Sequence, residues 1–223
     1  MKTYAVIVAG GSGQRMGSPM PKQFLPLCGK PVLWHTLNTF FLAISDIRII
    51  LVLPLSHLPY GQELKDSFEQ SSQISVVEGG SSRYESVKSG LSLVSEQSIV
   101  FVHDGVRCLL TADLINRCYQ TALTSGTAIP SVPSKDSVRI VTASGNMVAD
   151  RNNVQLIQTP QVFLSDIILK AFEQPYQERF TDEATVVESS GATIILVPGE
   201  HENIKITNPI DMLIAEKVLE SRL

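Results

Sequence analysis

The sequence predicts an α/β fold with a mostly parallel sheet. Short apolar runs rich in Val and Ile recur at residues 4–8, 47–53, 74–77 and 99–102. Near-continuous apolar runs of this length are the pattern of strands buried on both faces. Stretches with helical spacing separate them, and strand–helix alternation builds a parallel sheet.

Each element has a local reason. Residues 4–8 run straight into Ala9-Gly10-Gly11-Ser12-Gly13-Gln14-Arg15-Met16-Gly17, with Pro21-Lys22-Gln23 close behind. Glycine admits positive φ and close approach of backbone to a ligand, so successive N–H groups can face one anion. Pro31 opens a helix whose inner face is Leu33, Leu37, Phe40, Phe41 and Ile44, with Trp34 and His35 read as packing residues. Residues 56–73 form a surface helix and loop. Ser82 and Glu85 make a capping box ahead of Val87, Leu91 and Val94. Thr111 caps a helix running to about residue 123. Residues 165–172 and the stretch from Thr181-Asp182-Glu183 are helical, 193–197 and 203–206 are short strands, and Asn208-Pro209 begins the last helix.

Between about residues 131 and 158 the pattern changes. Alternation over 137–141, turn chemistry at Ser144-Gly145-Asn146 and extended character at 147–149 read as an inserted β-hairpin. An isolated hairpin is marginal in water. Such an arm either embraces a second subunit or folds back on its own domain.

The chain has 223 residues, 43% hydrophobic and 18% charged, which suits one good-sized core in a single domain. A net charge of −4 offers no overall basic field for nucleic acid. The three cysteines, Cys28, Cys108 and Cys118, make no disulfide framework, and the four histidines are scattered. The N-terminal apolar run is too short for a signal peptide and no stretch reaches membrane-spanning length, so a cytoplasmic protein is expected.

In an open α/β sheet, ligands bind beyond the carboxyl ends of the strands. Four polar clusters are expected there: the glycine loop with Arg15 and Lys22, residues 80–86, residues 103–107, and Lys205. The loop fits neither common phosphate motif, since Gly17 comes one residue late for G-x-G-x-x-G and Gly29-Lys30 is followed by Pro31. Together the clusters supply cations, a helix N-terminus and a carboxylate, Asp104, able to hold Mg²⁺. Those parts suit nucleotidyl transfer, in which a phosphate oxygen attacks the α-phosphorus of a nucleoside triphosphate and pyrophosphate leaves. Arg15, Lys22 and a metal on Asp104 would stabilise the charge that gathers. A phosphomonoester is mostly dianionic at neutral pH, so no general base is required.

These segments resemble the signature of the 2-C-methyl-D-erythritol 4-phosphate cytidylyltransferases. The resemblance runs through Gly79-Gly80-x-x-Arg83-x-x-Ser86-Val87, Val102-His103-Asp104-Gly105-x-Arg107, Asp150-Arg151 and Gln158-Thr159-Pro160-Gln161. It continues in Thr181-Asp182-Glu183-Ala184 and Asn203-Ile204-Lys205-Ile206-Thr207, covering nearly the whole chain. It implies a Rossmann-like three-layer fold with an inserted β-hairpin arm, CTP and methylerythritol phosphate as substrates, Mg²⁺ as cofactor, and a homodimer joined by the arm.

By position, Arg15 and Lys22 match the residues that stabilise the transition state. Ala9, Gly10, Gly11 and Gly13 match positions near the nucleotide, as do Gly80, Ser86, Asp104, Gly105 and Lys205, with Asp104 also on the metal side. Asp104, Arg107, Ser137, Arg151, Thr159, Thr181 and Lys205 match positions near the methylerythritol phosphate, Arg151 reaching in from the partner's arm. Gly10 stands where many relatives have Ala, Ser137 where Thr is common, and Cys108 where Pro is usual. Two rival readings are a ribitol-5-phosphate cytidylyltransferase, which would share the loop and the chemistry, and a silent CTP-sensing module.

Overall fold

The computed structural model describes residues 1–11, 20–95 and 97–222. The first half follows the expected alternation: β1 (Lys2–Val8), a small hairpin of β2 (Pro26–Leu27) and β3 (Lys30–Pro31), α1 (Val32–Ala43), β4 (Arg48–Leu53), α2 (Leu58–Asp66), β5 (Ile74–Glu78), α3 (Arg83–Leu91) and β6 (Ser98–Asp104). The second half adds α4 (Ala112–Ser125), β7 (Thr127–Pro133), β8 (Val138–Thr142), β9 (Gly145–Ala149), β10 (Gln155–Ile157), β11 (Gln161–Leu164), α5 (Ser165–Ala171), α6 (Glu183–Ser189), β12 (Leu196–Pro198) and α7 (Pro209–Glu220).

The main sheet has eight strands. β1 lies between β6 and β4, all parallel, with β5 parallel beyond β4. β11 joins β6 antiparallel, and β10 and β11 pair antiparallel with successive parts of β7. The sheet is thus mixed, its parallel half carrying the glycine loop. Alternate residues of each strand face opposite layers. Ala5, Ile7, Ile49, Leu51 and Phe101 pack under α1 and α4. Tyr4, Val6, Ile50, Val52 and Val100 pack under α3, α5 and α6. This is the expected three-layer arrangement. A smaller cluster of Leu27, Val32, Val106, Cys108, Leu109 and Ile206 seats α7 through Ala215. Cys108 behaves there as a small buried hydrophobe, and burial pushes its thiol up to about 12.

Several local expectations change. Ser82 caps α3 by accepting from Glu85 N–H at 3.1 Å, but the Glu85 carboxylate turns to Ser81, at 2.9 Å from its N–H, so only half of the capping box forms. The strand expected at 193–197 is the shorter β12. Before it, Thr127 Oγ1 intervenes, accepting from Ile195 N–H and donating to the Thr193 carbonyl, so a side chain replaces the ladder. Residues 203–206 form no strand. Their backbone is held by single bonds, Ile206 N–H to Val106 O at 3.0 Å and Asn203 N–H to Glu200 O at 3.0 Å. Lys205 therefore lies on a loop ahead of α7, not at a strand end. β7 carries no mark in the sequence separating it from the arm, yet Thr127–Val132 is buried core.

The hairpin β8–β9 is a sheet of its own, paired from Val138↔Ala149 to Thr142↔Gly145. Its flanks, β7 up to Pro133 and β10, belong to the main sheet. Val141, Val148, Met147 and Ile140 on it are 81%, 69%, 58% and 51% exposed. Among the described residues no helix is long and apolar enough to cross a membrane.

The turn between β2 and β3 holds Cys28 at φ +48° and Gly29 at φ +78°. Two positive φ values are what a two-residue hairpin turn demands, and the first position favours Asn or Gly over a residue with an ordinary Cβ. Cys28→Asn should stabilise the protein by about 1 kcal/mol, raising the thermal midpoint by roughly 2–4 °C in calorimetry. An unchanged or lower midpoint would refute the strain.

Candidate active site at the carboxyl ends of the strands

The register of the parallel strands builds one rim. Val8 pairs with Val52 on one side and Asp104 on the other, and Leu53 pairs with Glu78. The chain therefore leaves β1, β4, β5 and β6 on a common edge. A cleft there is lined by Ala9, Gly10, Gly11, Lys22, Gly80 and Ser86 together with Arg83, Asp104 and Lys205. Neither Gly10 nor Gly11 has a positive φ, and a Cβ at Gly10 would meet no atom within 4 Å. At these two positions glycine leaves the backbone bare toward the cleft; it does not relieve a strained conformation. Gly13 and Arg15 lie outside the described residues.

Lys22 starts a one-turn 3₁₀ helix, Lys22–Phe24, and is buried. Its Nζ donates to the Ile206 carbonyl at 2.7 Å. Gln23 donates from Nε2 to the Ala9 carbonyl at 2.8 Å, which pins that turn to the end of β1. Ser86 donates to Ser82 O at 2.8 Å. Gly105 lies beneath the rim, where a Cβ would come within 2.8 Å of Leu33 and 3.0 Å of Ala9. Its N–H bonds to Val8 O at 2.9 Å, so it lets β6 close against β1.

Asp104, the last residue of β6, is the centre of charge. Lys205 Nζ lies 2.9 Å from Oδ2, Arg107 Nε 3.5 Å from Oδ2, and Arg83 NH2 3.3 Å from Oδ1. Burial alone would raise the carboxyl pKa, but Arg83, Lys205 and Arg107 outweigh it and hold Asp104 well below the ordinary carboxylate range. Among the described residues Asp104 is the one carboxylate lining this cleft, and no group of three or more His, Cys, Asp and Glu is placed to hold a metal.

A second cleft adjoins the first and shares Arg83, Asp104 and Lys205 with it. Arg107, Thr159 and Thr181 also line it. The structure thus brings five of the residues matched to the second substrate, Asp104, Arg107, Thr159, Thr181 and Lys205, into one place. Ser137 and Arg151 line neither cleft of their own chain. They flank the Val138↔Ala149 pair at the base of the arm and are exposed.

The antiparallel partner of β6 supplies the floor. Thr159 Oγ1 accepts from Asp104 N–H at 3.1 Å and lies 3.0 Å from His103 Nδ1. His103 is fully buried, and burial lowers its pKa to about 3, so it is neutral. Thr159 then donates to Nδ1, and Nε2–H donates to the Arg107 carbonyl at 3.2 Å. Asn203 extends the scaffold, donating to Thr159 O at 2.8 Å and accepting at its carbonyl from Arg107 NH1 at 2.8 Å. Sequence reasoning attached no role to Arg83, His103 or Asn203. Arg83 could have been found as a cation one residue past a helix cap; buried His103 and Asn203 leave no such signal.

His103 makes stability pH-dependent. Unfolded, the imidazole titrates near 6.5; folded, near 3. Between these values the unfolded chain binds a proton that the native protein does not, so stability falls as pH drops. Acidifying from pH 7 to pH 4 should remove on the order of 3 kcal/mol through this residue. Urea unfolding of His103→Gln over the same range should show a loss smaller by that amount; parallel losses in both proteins would contradict it.

A family model described as IspD, 2-C-methyl-D-erythritol 4-phosphate cytidylyltransferase, matches residues 3–221. The cytidylyltransferase of that name from Phocaeicola vulgatus is 42% identical over 219 residues, covering 98% of this chain and 100% of its own. That from Porphyromonas gingivalis is 44% identical over 221 residues, covering 99% of each chain. The crystal structure of 4-diphosphocytidyl-2C-methyl-D-erythritol synthase from Anaerococcus prevotii superposes with a TM-score of 0.84 at 28% identity, covering 98% of each chain. The family model and these relatives match over nearly the whole chain, and the chain belongs to the 2-C-methyl-D-erythritol 4-phosphate cytidylyltransferase family.

Proposed function

We propose that the two clefts divide the family's reaction between them. The nucleotide cleft takes CTP, the adjoining cleft takes 2-C-methyl-D-erythritol 4-phosphate, and the product is 4-diphosphocytidyl-2-C-methyl-D-erythritol. An acceptor phosphate oxygen attacks the α-phosphorus as the bond to the bridging oxygen of pyrophosphate breaks. The observation that carries this reading is the shared wall. Asp104 with Arg83 and Lys205 belongs to both clefts, and Arg107 adds a third cation from the second, so two anionic substrates meet across one set of cations.

Each residue has a role the charges support. Lys22, and Arg15 beside it in sequence, stabilise the charge on the phosphoryl oxygens and the leaving bridge. The bare backbone of Gly10 and Gly11 admits the triphosphate closely. Arg107 and Lys205 draw in the acceptor dianion, with Thr159 holding the Asp104 backbone in place. Gly80 and Ser86 border the nucleotide. Asp104 would hold Mg²⁺ with the substrate's phosphates completing its shell, a donor set that suits a cation commonly bound by one or two carboxylates. The metal supplies charge neutralisation on the triphosphate.

The arm is read as a dimer clasp. Its exposed apolar side chains and its lack of core support this, because large unpartnered apolar patches mark interaction surfaces. Arg151 and Ser137 at its base then serve the partner's acceptor cleft. No observation favours ribitol phosphate as acceptor or a silent sensor.

Pyrophosphate release from CTP should be seen with methylerythritol phosphate. Release with ribitol 5-phosphate alone would overturn the substrate, and none with either acceptor the activity. Lys22→Ala should lower kcat by roughly two to three orders of magnitude, as Arg15→Ala should; near-normal turnover in either refutes its role. Arg151→Ala and Lys22→Ala chains, each nearly inactive, should complement when mixed one to one. Random pairing in a homodimer with crossed arms leaves one intact site per mixed dimer and restores about a quarter of wild-type activity. Activity no higher than that of the separate variants would place Arg151 in its own chain's site or nowhere near one.

A further inference from the structure

Arg83 is the first residue of α3, and its guanidinium spans two carboxylates. On one side it takes Asp104 Oδ1, from Nε at 3.4 Å and NH2 at 3.3 Å. On the other it forms a two-pronged pair with Glu183, NH1 to Oε1 and NH2 to Oε2, the latter at 3.0 Å. The Glu183 side chain is only 1% exposed, that of Arg83 30%. A carboxylate so deeply buried is costly, and burial raises its pKa against the pull of Arg83. Such a pair is weak evidence for stability, because well-packed apolar residues often do as well.

The placement of Glu183 argues for a positional role. It is the first residue of α6, and the neighbouring residues are clamped to β11 by one amide. Gln161 Nε2 donates to Asp182 Oδ2 at 2.9 Å, and Gln161 Oε1 accepts from Ala184 N–H at 2.8 Å. Glu183 is therefore a fixed point at the start of α6, tied through Gln161 to β11, the strand that pairs directly with β6. The two oxygens of Asp104 are divided, Oδ1 facing Arg83 and Oδ2 facing Lys205 and Arg107. The division keeps the carboxylate plane between the two clefts.

We propose that Glu183 is a positioning residue for cytidylyl transfer, acting through Arg83 to fix the orientation of the Asp104 carboxylate on the wall between the two clefts. This rests on the two-cleft reading of the reaction. Without Glu183 the guanidinium turns both its prongs to Asp104 and draws the carboxylate off Lys205. Arg83 needs to be arginine, because an ammonium cannot make paired bonds in two directions.

The test is a double-mutant cycle, with kcat and the KM of each substrate measured where circular dichroism shows every variant folded. Glu183→Gln should lower kcat about tenfold, with the KM for CTP changed less than kcat. Arg83→Gln should cost at least as much, and the double variant no more than Arg83→Gln alone. Arg83→Lys should not rescue. Glu183→Gln within twofold of wild type, or losses that multiply in the double variant, would overturn the proposal. If Glu183→Gln does not fold, Glu183→Leu with Arg83→Met replaces the pair by apolar packing. Folded with wild-type kcat, that protein would show the pair to be structural only; folded with kcat lowered as in Arg83→Gln, it supports the proposal. Wild-type turnover is the reference arm. Should wild type release no pyrophosphate, the functional reading falls, and the clamp is judged by the crystal structure of Glu183→Gln. Arg83 and Asp104 unmoved there would refute it, and a rotated Asp104 carboxylate would support it.

Discussion

A single buried carboxylate gathers three cations from three parts of the chain. Arg83 opens α3, Arg107 follows β6 and Lys205 precedes α7, and all reach Asp104. Exposed Lys205 alone would carry little energetic weight, and Arg83 and Arg107, mostly buried, would be costly without a carboxylate beside them. Around Asp104 they hold one another at the mouth of a cleft where the parallel strands end. Like charges are kept together by the anion between them, and the surplus positive charge is what an anionic substrate meets. The overall charge of −4 makes that local reversal of sign more telling, since no general field would produce it.

The scaffold beneath is neutral and rigid. Thr159, His103 and Asn203 form a buried chain of hydrogen bonds that anchors the Asp104 backbone and the Arg107 loop. Thr159 shows how one residue can serve both purposes. It lines the second cleft, yet its hydroxyl is engaged with Asp104 and His103, so its contribution runs through what it holds in place. A neutral imidazole suits that position because a charged one would compete with Arg107 and Arg83 for Asp104.

How far residues alone lead can be seen element by element. β1, β4 and β6 are clear because strands buried on both faces leave continuous apolar runs, and the half-exposed edge strand β5 because its short run is still mostly Ile and Val. α1 and α4 are clear because one face is apolar and a cap precedes α4. The rim follows from these, since loops after parallel strands share an edge, and Gly11, Lys22, Gly80, Ser86, Asp104 and Lys205 do meet there. β7 is hidden because it enters the arm without a turn, and residues 203–206 mislead because an apolar–polar alternation there serves a loop that packs one side on α7. Partners across space are harder still. The Arg83–Glu183 pair joins positions 100 apart, and nothing local announces it. Ser137 and Arg151, at the base of the arm, line neither cleft of their own chain, so nothing within one chain marks them.

The hydrogen bond from Lys22 to Ile206 closes a loop of 184 residues. The carbonyl partner is synthesised 184 residues after Lys22. At the usual pace of translation the interval is roughly 10–40 s. Throughout it Gly10, Gly11 and Lys22 are present but Lys205, which lines the same cleft, is not. A nascent chain therefore completes every strand of its sheet, the last ending at Pro198, before it can complete this cleft with Lys205.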